Sequence, residues 1–330
     1  MRFKNVWTQA RIVKITDVAA NVRLFELEPE TGIQPYSAGA HIDVTVLING
    51  LPEIRSYSLV GTYAPVGGRY YIGVKRLPAS RGGSTYMWSL VPGARLTISQ
   101  PKNQFQLTFG RPYYTLLAGG IGITPIYGMA LELAQKGADF RLLYAGSSRC
   151  EMPFLDDLGA NLGQRLSVFT SDEGRRVNVT EVVSSIEAGT QLYVCGPLSM
   201  LDGVRHAWQA RGLPVGDLRY ESFAASGQFA ATEFQVTIPR LGKKVKVGAN
   251  QTMLDALALA GVDVMSDCQI GECGLCVVDV LAHSGVVDHR DVFFSDQQKA
   301  ENKKMCACVS RIASGDVVID TAYRGASFTQ

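Results

Sequence analysis

Five of the seven cysteines in this 330-residue chain fall in its last quarter, as Cys268, Cys273, Cys276, Cys306 and Cys308. That crowding limits what the C-terminal part can become. A disulfide framework spreads its cysteines more evenly, uses an even number and suits a secreted chain. The opening Met1-Arg-Phe-Lys-Asn-Val-Trp7 lacks the apolar core of a signal peptide, so a cytoplasmic protein is expected. In a reducing compartment, thiols at this density point to a metal centre.

Cys268-x4-Cys273-x2-Cys276 with a distant further cysteine is the spacing of a plant-type [2Fe–2S] site. Two irons need four thiolates, so one loop supplies three by wrapping the cluster. Gly271 and Gly274 let its backbone pass close to the sulfides. The fourth ligand comes from another element, Cys306 or Cys308. A four-cysteine zinc site uses two separated Cys-x2–4-Cys pairs, and only the second half of this set resembles one. A Rieske centre needs two histidine ligands, and His283 and His289 are not interleaved with the cysteines.

Hydrophobic residues at 46% and charged ones at 19% are enough to bury the cores of two or three domains. A net charge of +2 gives no support to nucleic-acid binding. Tyr114 to Ala134 has the length of a membrane span. Gly119, Gly120, Gly122, Thr124 and Pro125 interrupt it, so it reads as a buried strand, a tight loop and a helix.

Ahead of the cysteines the texture changes twice. Alternating stretches at Arg11–Ile15, Val22–Leu27, His41–Leu47, Arg55–Val60, Tyr70–Lys75 and Arg95–Ser99, separated by turn-formers, predict a six-stranded antiparallel barrel. After Gly110, strands at 114–118, 140–145, 166–170 and 191–195 alternate with helices at 125–136, 179–185 and 199–211. That order means a parallel α/β sheet. The small-residue tract within 221–232 is the best linker. Beyond it come a hairpin at 233–247, a helix over 252–260 capped by Thr252 with Asp255, strands at 277–281 and 317–320, and a helix near 295–302.

Taken together, Arg55-Ser-Tyr-Ser-Leu, Val74-Lys-Arg76, Arg81-Gly-Gly-Ser84, Gly119-Gly-Ile-Gly-Ile-Thr-Pro125, Tyr193-Val-Cys-Gly-Pro197, Glu221-Ser-Phe223 and the cysteine loop resemble the phthalate dioxygenase reductase family, which includes vanillate demethylase reductases. The resemblance covers nearly the whole chain. It implies an antiparallel β-barrel flavin domain (1–109), an α/β parallel-sheet nicotinamide domain (110–223), a linker (224–232) and a β-grasp plant-type ferredoxin domain (233–330).

Arg55, Ser56, Tyr57 and Ser58 look like the family's flavin strand, and an arginine fork suits a phosphate. Gly82, Gly83 and Ser84 can add N–H groups and a hydroxyl around that phosphate, with Gly73, Val74 and Lys75 on the adjoining strand. By resemblance the flavin is FMN, and Phe223 belongs to the same site. Gly120, Gly122 and Thr124 lie in a loop that follows a strand and opens a helix, the place for a pyrophosphate. Cys195, Gly196 and Pro197 look like the second loop flanking the nicotinamide. For the coenzyme, Arg149 could meet a 2′-phosphate and Asp172 a ribose hydroxyl; the resemblance implies NADH. It also gives Cys308, which directly precedes Val-Ser-Arg, as the fourth ligand beside Cys268, Cys273 and Cys276.

The implied activity passes electrons from NADH through FMN to the cluster and on to an oxygenase partner, by resemblance one with a Rieske centre. No acid–base residue is required, because the chemistry belongs to the cofactors. Two other readings keep part of this: an electron donor to a cytochrome P450, or a flavin reductase carrying a zinc-held interaction module.

Overall fold

A computed structural model describes residues 6–48, 50–63, 67–77, 82–223, 229, 232–249 and 251–321. Arg81 and most of the expected linker lie outside them. The chain forms two compact units, Met1–Glu221 and Ser222–Gln330. The first two expected domains therefore share one unit.

The first unit opens with β1 (Trp7–Ala19), β2 (Val22–Pro29), β3 (His41–Ile48), β4 (Leu51–Ser58), β5 (Tyr70–Lys75), the short helix α1 (Gly83–Ser89) and β6 (Arg95–Ser99). These strands form one antiparallel sheet in the order β4-β3-β6-β1-β2-β5. A bridge between Leu59 and Ile72 joins its two edges, so the sheet closes into a barrel. Alternation places Phe25 and Leu27 of β2, and Ile42, Val44 and Val46 of β3, in one core.

The chain continues through β7 (Tyr114–Gly119), α2 (Ile123–Gln135), β8 (Phe140–Gly146), α3 (Leu155–Leu162), β9 (Leu166–Thr170), α4 (Val179–Ser184), β10 (Gln191–Gly196), α5 (Leu198–Ala210) and β11 (Leu218–Ser222). The sheet order is β11-β10-β7-β8-β9, with β10, β7, β8 and β9 parallel. Every residue of β7 is buried, as a central parallel strand requires. The chain runs outward from β7 to β9 and then returns to β10 on the other side of β7. The crevice at the strand ends between β7 and β10 is thus the topological switch point, where open α/β sheets bind their ligands.

The second unit holds β12 (Phe234–Ile238), β13 (Lys243–Val247), α6 (Met253–Leu259), β14 (Val277–His283), β15 (Val287–Asp288), α7 (Asp296–Glu301), β16 (Lys304–Cys306), β17 (Arg311–Ile312) and β18 (Val317–Thr321). Its five-stranded mixed sheet, β13-β12-β18-β14-β16, has α6 packed on it through Met253, Leu254, Ala256 and Leu257. Thr252 caps α6 as expected: its Oγ1 accepts the Asp255 N–H at 3.0 Å. The architecture is the multidomain one that the sequence implied, an antiparallel barrel, a parallel α/β sheet and a ferredoxin-type domain.

Candidate functional site

The cysteine loop lies between α6 and β14. It turns at Gln269, Gly271 and Gly274, which all have positive φ. These turns aim the N–H groups of Glu272 and Cys273 at the Cys268 sulfur, at 3.4 and 3.3 Å. Glycine is required at two of them. A Cβ on Gly271 would sit 2.7 Å from Val309 and 2.9 Å from the Asp291 Cα, and one on Gly274 would enter the Phe293 ring.

Cys273 is exposed, Cys268 half-buried and Cys276 buried. Cys276 Sγ lies 3.1 Å from Cys308 Sγ. Hydrogen bonds from the Cys306 and Cys308 thiols hold the Cys276 thiol well below its ordinary range, and they push Cys306 and Cys308 up. Burial lifts the Glu272 carboxyl to about 7, so this neighbour of Cys273 is only partly ionised near neutrality. Backbone N–H donors on one sulfur and thiols crowded in a buried corner form a donor set that fits a [2Fe–2S] cluster.

Cys306 and Cys308 do not share a strand. β16 stops at Cys306, which pairs with Val277 of β14. A turn then carries Cys308, closed by the Val309 and Ser310 N–H groups on the Cys306 carbonyl at 3.3 and 2.9 Å. Cys306 thus stands in the ladder and Cys308 in the turn beyond it.

In the first unit, Arg55 and Tyr57 alternate along β4 with the exposed Ile54 and Ser56. The Arg55 stem crosses Gly83, where a Cβ would lie 2.9 Å from it. A cation therefore stands beside the first turn of α1, whose N–H groups have no partner within the helix. This pairing fits the phosphate of FMN. Ser84 Oγ accepts the Leu77 N–H at 3.3 Å. The Ser56 hydroxyl faces away from Arg55 and donates to Asp43 at 2.6 Å, in a network completed by Lys102. Ser58 is buried and donates to Glu221 Oε2 at 3.5 Å. Glu221 is only 6% exposed and was not among the site residues expected from sequence, although the Glu221-Ser-Phe motif held the signal.

The barrel meets the nicotinamide loop at Gly73, where a Cβ would lie 2.8 Å from the Thr124 methyl. Val74 gives its carbonyl to the Trp88 indole N–H at 3.1 Å, and Lys75 points to Glu151 at 3.8 Å. The Thr124 hydroxyl donates to the Ile121 carbonyl at 2.9 Å, fixing the start of α2.

The loops after β7 and β10 cross in backbone contact. A Cβ on Gly122 would lie 2.2 Å from the Cys195 carbonyl oxygen, and one on Gly119 would lie 2.6 Å from Pro197. Gly120 is needed instead for its φ of 54°. Such a side-chain-free crossing at the switch point leaves room for a dinucleotide. Asp172 is exposed beside the β8–β9 end, its N–H on the Ser147 carbonyl at 3.0 Å. Arg149 is paired with Glu173 at 2.9 Å. Phe223 follows β11, half-buried, in the second unit.

The chain is similar to proteins of known role along nearly its full length. Residues 236–313 match the 2Fe-2S iron-sulfur cluster binding domain, and residues 116–206 match the oxidoreductase NAD-binding domain. The phenoxybenzoate dioxygenase subunit beta of Ectopseudomonas oleovorans is 39% identical over 94% of this chain and 96% of its own length. Phthalate dioxygenase reductase, described as a modular structure for electron transfer from pyridine nucleotides to [2Fe-2S], superposes with a TM-score of 0.76. It is 32% identical over 95% of this chain and 98% of that one. An intact type IV self-sufficient cytochrome P450 monooxygenase gives a TM-score of 0.66 and 34% identity over 95% of this chain, which spans 41% of that protein. With two glycine loops crossed at the switch point, a cysteine loop of ferredoxin spacing and these likenesses along nearly the whole chain, the chain belongs to the phthalate dioxygenase reductase family, as an oxidoreductase with an NAD-binding domain and a 2Fe-2S cluster binding domain.

Proposed function

We propose that this protein is the reductase component of a Rieske-type oxygenase system. When bound, FMN would supply the chemistry that joins two-electron hydride transfer from NADH to the single-electron exchange of a [2Fe–2S] cluster. The crossed loops at Gly119–Gly122 and Cys195–Pro197 hold the nicotinamide, and Gly73 and Thr124 bring the barrel against them. Asp172 takes the adenosine ribose. Arg55 and the Gly82–Gly83–Ser84 turn hold the flavin phosphate. Tyr57, Ser58, Val74 and Lys75 line the flavin, and Ser56 sets the strand through Asp43. Ser58 and Glu221 form a buried pair able to hold a proton beside the ring. Cys268, Cys273, Cys276 and Cys308 ligate the cluster.

The observation that carries this reading is the cysteine loop itself: Cys268 receives two backbone N–H groups and Cys276 lies 3.1 Å from Cys308. The likeness to a dioxygenase subunit favours an oxygenase as acceptor. A second reading, electron donation to a cytochrome P450, is favoured by the match of 95% of this chain within a self-sufficient P450. A cytoplasmic location goes with seven cysteines that are all free.

The visible spectrum before and after NADH tests the central claim, since flavin and cluster both bleach on reduction. Zinc in place of iron and acid-labile sulfide would sink the electron-transfer role. Product formation with a Rieske oxygenase or with a P450, each driven by NADH, separates the two acceptors.

A further inference from the structure

The segment His289–Phe294 touches both halves of the ligand set. The Val292 N–H donates to the Gly271 carbonyl at 3.0 Å, and the Asp291 backbone packs where Gly271 has no side chain. The Phe293 ring lies over Gly274. One short strap therefore holds both glycine turns of the three-cysteine loop. On the other side is Ser310, two residues beyond Cys308. Its hydroxyl donates to Asp291 Oδ1 at 3.1 Å, while Asp291 Oδ2 accepts the Phe294 N–H at 2.9 Å.

Asp291 is fully buried and Ser310 is 1% exposed. Burying a carboxylate costs desolvation, and here two hydrogen bonds offset that cost and fix the direction of both oxygens. Lys299 and His289 hold the same strap: the Lys299 ammonium donates to the Asp291 carbonyl at 2.6 Å, and His289 Nδ1 stands 3.5 Å from Asp291 Oδ1.

We propose that Asp291 is a positioning residue which sets the fourth ligand, Cys308, against the three-cysteine loop through its hydrogen bond to Ser310. It touches no reacting atom and acts through Ser310 on one side and Gly271 on the other. Residues that orient metal ligands typically change metal retention by about 10- to 100-fold when removed. The inference rests on Cys308 being the fourth ligand.

The test uses the full-length protein with flavin and cluster loaded. Three variants are compared with the parent: Asp291→Ala, Asp291→Asn and Ser310→Ala. Asparagine keeps one oxygen for the Phe294 N–H, and its amide can donate to the Ser310 hydroxyl. The readouts are the electron paramagnetic resonance g-values of the reduced cluster, its midpoint potential, and the rate of iron loss to a chelator.

Asp291→Ala is expected to lose iron about tenfold faster and to show shifted g-values. Ser310→Ala should move both in the same direction by less, and Asp291→Asn should stay near the parent. NADH-driven ferricyanide reduction, which needs only the flavin, should be unchanged in all three. Parent-like g-values and iron loss in Ser310→Ala would overturn the proposal even if Asp291→Ala fails to fold. So would an Asp291→Asn protein as damaged as Asp291→Ala. A parent protein without iron would instead remove the ligand assignment beneath it.

Discussion

Cys306 pairs with Val277 inside a sheet and Cys308 lies in the turn beyond it, so the two thiols reach Cys276 from different backbone settings. Spacing alone could not separate them, because two residues apart reads as one strand face until the strand is seen to end; the choice of Cys308 came from the resemblance. Under the proposed function Cys308, in the turn, is the fourth ligand and Cys306, in the ladder, is its neighbour. Cys308→Ala is therefore expected to abolish the cluster's absorbance, and Cys306→Ala to keep it; the reverse pattern would exchange the two roles. Coenzyme choice is decided at the same scale. The Arg149 charge that sequence left open to a 2′-phosphate is paired with Glu173, and both side chains are near half exposed. Such an exposed pair is weak and screened by solvent. Glu173→Gln should raise kcat/KM for NADPH modestly and leave NADH nearly unchanged; no gain with NADPH would mean that the Arg149–Glu173 pair is not the obstacle.

At the scale of elements, the legible parts were those whose signals are local. The six barrel strands follow from alternation, and α6 follows from its Thr252 cap, because one face or one hydroxyl announces each. The helices α1 and α3 were not read. α1 has only seven residues and a glycine N-cap, and α3 starts from Phe154 at φ 63°, so neither carries a side-chain cap. The strand β11 was not read either, since its residues are only partly apolar and its place depends on pairing with β10. The loop after β7 was recognisable as a turn, yet its contact with the β10 loop is a long-range fact. Gly122→Ala puts a methyl group 2.2 Å from the Cys195 carbonyl, and parting the two loops costs about 1–3 kcal/mol. NADH-driven flavin reduction should fall sharply while flavin and iron contents hold. A variant that loses flavin or iron as well would show damage spreading beyond the nicotinamide crevice.

On the scale of the whole molecule, the order of flavin, nicotinamide and cluster blocks was plain in the sequence, but the grouping was not. Three blocks make two compact units, because the barrel packs on the nicotinamide domain through contacts such as Gly73 with Thr124 and Ser58 with Glu221. These contacts join residues far apart in sequence that carry no pattern of their own. Among the described residues, by contrast, the cluster unit draws its core from its own Phe234 to Ile319, and the barrel core takes nothing from beyond Ile98. A chain cut after Phe223 keeps β11 whole and leaves the barrel core untouched. It is expected to fold, bind FMN and reduce ferricyanide with NADH at close to the full-length rate. Iron and acid-labile sulfide should be absent, and reduction of the oxygenase partner should be lost with them. A fragment that is soluble but free of flavin would mean that the flavin site is completed by residues of the second unit, and that the two units are not separable in function.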